Sequence, residues 1–350
     1  RPSRWEFMAC CEMGESEETF KSNLTALAAE LKQILRQVGS GFPHKFRTGV
    51  AVWPVDAESL ADVISDTEIA LIHAHQSGIS QPVYYQPSMR SQINELQQLA
   101  ESITPGIEAG QFYFDYQPVI HKYSRSVEFY ECLIRWRHPV LGVLGPARFI
   151  PLAVEYGQII SLTMWALRRT GDFLEKNKEI GKAPVRLSVN IAPAVVDWML
   201  KNPKSANDFF DSIHFDPGSI ILEITEESFL ASNEAVIELF EKLKSRGYLM
   251  ALDDFGTGYS SLANVTALPL DYLKMDMSLV SGIDKSERKQ KTYDAMSKLG
   301  YQLGIKVVSE GVETQAELDV VSMMSVDFIQ GFVISRPHSE SKIGQTLGAD

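Results

Sequence analysis

From Phe112 to beyond Asp327, short apolar segments alternate with longer stretches of helical periodicity, and this alternation constrains the fold more than any other feature. Candidate strands begin near Phe112, Val127, Arg186, Ser219, Tyr248, Tyr272, Lys306 and Asp327. Strands separated by helices pair in parallel, and eight of them in about 240 residues suit an α/β barrel of the TIM (β/α)8 type. One connection breaks the pattern. Between the strand ending near Val119 and the one starting at Val127 there is only a short polar turn, whereas a parallel crossover needs about a dozen residues. The first pair is therefore expected to be an antiparallel hairpin.

Upstream, Trp5 to Pro87 reads as strand, helix, strand, helix, strand. The first helix is expected over Glu18–Val38, with Leu24, Leu27, Leu31 and Ile34 at helical spacing; Arg47–Trp53 follows as a strand and Leu60–His75 as a second amphipathic helix. The polar stretch Gln86–Glu108 holds a linker helix, Ser91–Ser102, ended by Thr104-Pro105-Gly106. These signals divide the chain into residues 1–86, a linker over 87–109 and the barrel over 110–350. The chain opens inside what reads as a strand, which suggests a piece of a longer protein.

Charge narrows the choice of partners. A net charge of −12 over 350 residues argues against a large nucleic-acid surface, which draws its affinity from clustered Lys and Arg, but leaves room for a small phosphorylated ligand. No apolar run approaches the roughly 20 residues of a membrane-spanning helix and no secretory leader is visible, so no membrane contact is required. Cys10, Cys11 and Cys132 fit neither a disulfide framework nor a zinc site, and a cytoplasmic setting follows, alone or as the cytoplasmic part of a membrane-attached protein.

Barrel enzymes carry their chemistry at the C-terminal ends of the strands. There the sequence places Glu131 on the second strand, Asn190 on the third, Glu223 on the fourth, Asp253 and Asp254 at the end of the fifth, Lys274 and Asp276 on the sixth, Glu310 on the seventh and Gln330 on the eighth. A single buried Glu is more often an ion-paired structural residue than a catalyst. So many acids facing one rim repel one another unless cations sit among them, and oxygen donors without His or Cys suit Mg2+ or Mn2+ rather than zinc. Two such ions can activate water and neutralise an attacked phosphate, which is the chemistry of phosphodiester hydrolysis. Lys274 either orients that water, stabilises phosphate charge, or simply pairs with Asp276. The segment Asp253–Leu262 reads either as a glycine-bearing turn with Thr257 or Ser260 capping a helix, or as paired metal ligands on a mobile rim loop.

At these residues the sequence resembles the EAL family of cyclic di-GMP phosphodiesterases over nearly all of Gly110–Pro337. The motifs stand in family order: Tyr116-Gln117-Pro118, Glu131-Cys132-Leu133-Ile134-Arg135-Trp136, Ser188-Val189-Asn190, Glu223-Ile224-Thr225-Glu226, Asp253-Asp254-Phe255-Gly256-Thr257-Gly258, Leu273-Lys274-Met275-Asp276, Ser309-Glu310-Gly311-Val312-Glu313-Thr314 and Gln330-Gly331-Phe332. The resemblance implies hydrolysis of cyclic di-GMP to the linear dinucleotide with magnesium or manganese. It makes Glu131, Asn190, Glu223, Asp253, Asp254 and Glu310 the metal set, with catalytic work falling to Glu131, Lys274 and Glu310. Asp276 and Gln330 support that set, and Lys274 orients water. Gln117, Arg135 and Glu313 become ligand contacts, Glu226 the anchor of the Asp253–Leu262 loop, and a homodimer through helices beside that loop the expected assembly. Two departures are Cys132 in place of the signature's central alanine and Val154 where the family often has a glutamate.

The N-terminal part resembles the latter half of a GGDEF, or diguanylate cyclase, domain of α+β type, through Trp5-Glu6-Phe7, Gly49-Val50-Ala51-Val52-Trp53-Pro54 and the Glu68–Gly78 helix. Its signature position reads Ser3-Arg4-Trp5-Glu6-Phe7, without the glycines and with Trp5 at the acidic position, so no cyclase activity is expected and a regulatory or structural role, including toward a protein partner, remains. Two other classes compete with the enzyme. A non-hydrolysing cyclic di-GMP receptor or scaffold would fit the barrel but could discard metal ligands that this chain retains, and a purely structural module leaves the acids unexplained.

Overall fold

The computed structural model describes residues 8–10, 16–37, 46–177, 185–213, 215–229, 233–257 and 262–343. The Ser3–Phe7 signature stretch, Cys11, Ser260 and the 258–261 part of the rim loop lie outside these residues. The chain forms two compact units, Arg1–Leu99 and Ala100–Asp350. Among the described residues no helix is long and apolar enough to cross a membrane.

In the first unit a helix spans Glu17–Gln37, and Gly49–Val50 pairs in parallel with Val83–Tyr84 across the helix Leu60–Gln76. Ser59 caps that helix by accepting from Asp62 N, and Ala70, Ala74, Val83 and Met89 form the local core. The strand expected over Arg47–Trp53 shrinks to two residues; the backbone turns over Trp53–Asp56, where Asp56 Oδ2 accepts from Val52 N at 2.7 Å. The linker region also differs from expectation. Thr104-Pro105-Gly106 does not end a helix but lies inside a second one, Ile103–Glu108, after the first, Pro87–Glu101. Proline is tolerated there because a helix's first turn has no internal partners for its N–H groups.

In the second unit eight strands close a barrel: β1 Phe112–His121, β2 Val127–His138, β3 Leu187–Ile191, β4 Ile220–Thr225, β5 Leu249–Phe255, β6 Tyr272–Met275, β7 Lys306–Ser309 and β8 Phe328–Ile329. From β2 round to β8 each strand pairs in parallel with the next, and β1 closes the ring antiparallel to both β2 and β8. This is the α/β barrel of TIM type with its first strand reversed. Two short strands absent from the sequence reading, Gly142–Leu144 and His338–Ser339, extend the sheet beyond β2 and β1. Val119, Phe129, Ile221, Ala251, Tyr272, Val308 and Phe328 pack together inside the ring, so its lower interior is a closed core rather than a pore.

Candidate active site

Side chains on a strand alternate between faces, so a residue two positions from the barrel-filling cluster also points inward. Stepping two residues toward the C-terminal mouth leads from Phe129 to Glu131, Ile221 to Glu223, Ala251 to Asp253, Tyr272 to Lys274, Val308 to Glu310 and Phe328 to Gln330. On the reversed β1 the same step runs backwards, from Val119 to Gln117. One step of the pleat thus separates a largely apolar layer, with Ser188 as the β3 member, from a polar one that Asn190 completes.

Lys274 is the hub of that polar layer. Its Nζ, 1% exposed, lies 2.7 Å from Glu310 Oε1, 2.9 Å from Glu223 Oε2, 3.1 Å from Asp253 Oδ1 and 3.6 Å from Glu131 Oε2. Glu131 is fixed from two sides: Asn190 Nδ2 donates to Oε1 at 3.2 Å and Gln330 Nε2 to Oε2 at 2.6 Å. Gln330 Nε2 also reaches Gln117 Oε1 at 3.3 Å, and Gln117 Nε2 donates to Ser335 O at 3.2 Å.

Asp253 and Asp254 reach the same rim through a break in β5. The register between β5 and β6 shifts between Leu252 and Phe255, and Asp254 adopts φ 56, in the left-handed region that non-glycine residues rarely enter. A regular strand would send consecutive side chains to opposite faces. Here Asp253, Asp254 and Glu310 each offer an oxygen within 4.8 Å of the others, and Asp254 N donates to Asp253 Oδ1 at 3.0 Å. Thr257 Oγ1 closes the following turn on Asp254 O at 3.1 Å instead of capping a helix.

The electrostatics of this cluster are unbalanced. Burial pushes Glu223 up to about 8, with Glu131 and Asp253 adding repulsion against the pull of Lys274. Burial likewise drives Glu310 well above the carboxylate range, and raises Asp254 to about 6 with help from Asp253 and Asp276. Glu131 goes the other way, since burial is outweighed by Lys274, Gln330 and Asn190. Desolvation would lower Lys274, but the acids around it hold it far above its ordinary value, so it stays an ammonium. Glu223 Oε1 is buried without a hydrogen-bond partner. Oxygen donors that exceed their one counter-charge, with one orphaned carboxylate oxygen among them, fit a hard divalent cation.

The remaining sequence candidates fall in different places. Asp276 stands one residue past β6 and caps the short helix Met277–Val280, accepting from Ser278 N at 2.9 Å; it does not share a strand face with Lys274, nor pair with it. Arg135 Nε makes an ion pair with Asp115 Oδ2 at 2.8 Å across the β1–β2 hairpin. Glu313 is exposed beside the mouth, and Glu226 Oε1 accepts from Gly256 N at 3.3 Å, tying the start of the rim loop to the segment after β4. Cys132 is buried and its thiol is pushed well up by burial, against a hydrogen bond from Thr170. Val154 is 42% exposed on the helix Pro146–Glu155. In the barrel unit sequence reasoning passed over the buried acid Glu317, although Thr314 three residues before it spells a capping box.

Comparison with known proteins agrees with this architecture. A family model described as EAL domain matches residues 94–337. The chain is 32% identical over 320 residues to the cyclic di-GMP phosphodiesterase NbdA of Pseudomonas aeruginosa, covering 89% of this chain and 40% of that protein. It is 32% identical over 292 residues to an uncharacterized signaling protein of Caulobacter vibrioides, covering 83% and 35%. To the probable cyclic di-GMP phosphodiesterase PdeN of Escherichia coli it is 37% identical over 240 residues, covering 67% and 45%. The chain thus spans less than half the length of these relatives. Among solved structures, the PaMucR phosphodiesterase in complex with c-di-GMP superposes with a TM-score of 0.63 at 28% identity, covering 70% of this chain and 99% of that one. With its motifs in order on the strands of a matching barrel, the chain belongs to the EAL domain family.

Proposed function

We propose that the barrel is a metal-dependent phosphodiesterase that opens one phosphodiester of cyclic di-GMP to give the linear dinucleotide pGpG. The observation that carries this reading is the mouth of the barrel, where Glu131, Glu223, Asp253, Asp254 and Glu310 gather around the single ammonium of Lys274. The names of NbdA and PdeN point the same way. Glu131, Asn190, Glu223, Asp253, Asp254 and Glu310 would hold the metal, two ions of Mg2+ or Mn2+ in this reading. When bound, such ions lower the pKa of water and neutralise charge on the attacked phosphate.

The protein's own groups divide the remaining work. Lys274 stays protonated, so it donates a hydrogen bond to the attacking water or to a phosphate oxygen and takes no proton; the water's proton passes to a carboxylate, Glu131 or Glu310. Gln117, Arg135 and Glu313 contact the dinucleotide, with Arg135 held for that task by Asp115. Glu226 keeps the rim loop seated through Gly256. The N-terminal unit is a degenerate GGDEF-like regulator without cyclase activity, the barrel pairs as a homodimer, and the protein works in the cytoplasm.

The decisive measurement follows the linear product with Mg2+ or Mn2+ present. Glu131→Ala and Lys274→Ala are each expected to lower turnover by about 10²–10³-fold, the loss typical of removing a group that stabilises transition-state charge. Wild-type protein that binds cyclic di-GMP in calorimetry without metal and yields no product would instead identify a receptor. Synthesis of cyclic di-GMP from GTP would overturn the reading of the N-terminal unit.

A further inference from the structure

Glu317 is a buried carboxylate on the helix Gln315–Ser322, outside the polar layer around Lys274. Its two oxygens serve two different loops. Oε1 accepts from Gly282 N at 2.9 Å, in the segment that follows β6; Oε2 accepts from Glu313 N at 3.1 Å and Thr314 N at 3.0 Å, in the segment that follows β7. Thr314 Oγ1 in turn accepts from Glu317 N at 3.2 Å, so the acid is locked at the first turn of its helix. Burial would raise its pKa, but the amides of Gly282, Thr314 and Glu313 outweigh burial and hold it below the ordinary carboxylate range.

The two loops it joins carry the mouth. The first begins at Asp276 and includes Met277 and Leu279; the second begins at Glu310. They touch where Gly311 meets Met277: a Cβ at Gly311 would lie 2.3 Å from Met277 Cβ, so only glycine permits that approach. Leu279, on the first loop, packs against Gly256 on the next rim loop, whose amide Glu226 already holds. Glu226 and Glu317 therefore act alike, each fastening the backbone of one rim loop to its neighbour.

We infer that Glu317 is a positioning residue for the phosphodiesterase centre, clamping the segments after β6 and β7 so that Glu310 and Asp276 keep a fixed spacing across the mouth. The inference rests on the phosphodiesterase reading for its consequence, but the clamp itself is a property of three backbone amides. Charge-assisted bonds from a carboxylate to backbone N–H are stronger than neutral ones, and partners one step behind a metal ligand are worth about 10–100-fold in metal affinity. A glutamine at this position keeps the size and one acceptor but turns an NH2 toward a backbone N–H.

The test compares wild type with Glu317→Gln, Glu317→Ala and the control Ala316→Gly, which loosens the first turn of the same helix at an exposed position. Amide hydrogen exchange over residues 276–283 and 310–314 is measured first, without metal. Exchange in Glu317→Gln should rise at least about tenfold in both segments, whereas Ala316→Gly should raise it only in its own helix. Mn2+ affinity by calorimetry should fall about tenfold in Glu317→Gln and stay within about twofold in Ala316→Gly, with kcat falling more than KM changes. Unchanged exchange over 276–283 in both Glu317 variants overturns the clamp. Faster exchange with unchanged Mn2+ affinity and kcat overturns its positioning role. Wild type that takes up no Mn2+ and makes no product defeats the phosphodiesterase reading instead, and the exchange experiment still decides the clamp.

Discussion

The two ends of the barrel are built as opposites. At the mouth one cation, Lys274, is surrounded by acids; at the N-terminal end of the strands one acid, Glu128, is surrounded by donors. Glu128 Oε1 accepts from Tyr272 Oη at 2.9 Å and from Arg186 Nη1 and Lys306 Nζ at 3.1 Å each, and Lys306 also lies over the rings of Tyr272 and Phe328. Burial would raise the Glu128 pKa, but Tyr272 and Lys306 lower it, so it titrates as a satisfied ion-pair member should. The mouth is left with raised carboxylates and an orphaned oxygen. An end whose carboxylate is fully supplied with donors needs nothing further, whereas an end whose carboxylates outnumber the ammonium among them is arranged for something to bind.

Lys274 is where this contrast breaks most visibly. Lys274→Ala strips Glu131, Glu223, Asp253 and Glu310 of the ammonium they share, and breaking a buried ion pair by removing one partner typically costs about 3–5 kcal/mol. Urea unfolding in chelator should show a loss of that order, partly recovered when Mn2+ is added, alongside the loss of turnover. A metal-free stability within about 1 kcal/mol of wild type would mean that the ammonium gains nothing net from the acids around it, and that its charge does not hold the mouth together.

The second effect is the pH dependence of that imbalance. Glu223 has an ordinary value near 4.5 when unfolded and about 8 when folded, so between those values the folded chain binds more protons than the unfolded one. Stability of the metal-free protein should therefore fall as pH rises through that window, with Asp254 contributing up to about 6. Metal competes with those protons, so saturating Mn2+ should reverse the trend. Urea midpoints at pH 6 and pH 8, with and without metal, measure it directly; a metal-free midpoint that rises with pH would contradict the assigned directions.

A smaller effect of the same origin is expected from Glu223→Gln. Removing one negative charge from a crowded set leaves Lys274 with three carboxylates and relieves their mutual repulsion. Metal-free stability at pH 8 should rise by about 1 kcal/mol while hydrolysis is lost, the usual opposition of stability and activity at a strained site. A simultaneous loss of both would show that Glu223 is needed to hold Lys274 in place.

The sequence made the barrel legible because short apolar segments alternate with longer helical stretches, and the two-residue period of a strand carried Glu131, Glu223, Asp253 and Lys274 to one face. What it hid depends on register and on ends. Arg135 meets Asp115 only because Tyr113 pairs with Arg135 across the hairpin. Asp276 was read as part of a strand that stops one residue earlier, although aspartate is a preferred helix cap and acts as one here. The left-handed turn at Asp254 comes from a register shift between β5 and β6 that no local pattern announces. The capping-box spacing of Thr314 and Glu317 is local, but the second bond of Glu317 depends on Gly282, thirty-five residues away on another loop.

The mildest test belongs to the end where the acid is satisfied. Glu128→Gln keeps the side chain's size and one acceptor oxygen but removes the charge facing Arg186 and Lys306, both of which reach solvent. Partly exposed ion pairs are screened and each contributes about 0–1 kcal/mol, so the stability loss should stay near or below about 1 kcal/mol and shrink further in high salt. Turnover and Mn2+ affinity should not change, because Phe129, Tyr272 and the rest of the apolar layer stand between Glu128 and the mouth. If Glu128→Gln instead lowered Mn2+ affinity several-fold, the two ends would be coupled through Tyr272, whose hydroxyl touches Glu128 while Lys274, two residues on, touches the acids. The barrel's core would then be transmitting strain along β6 rather than insulating one end from the other.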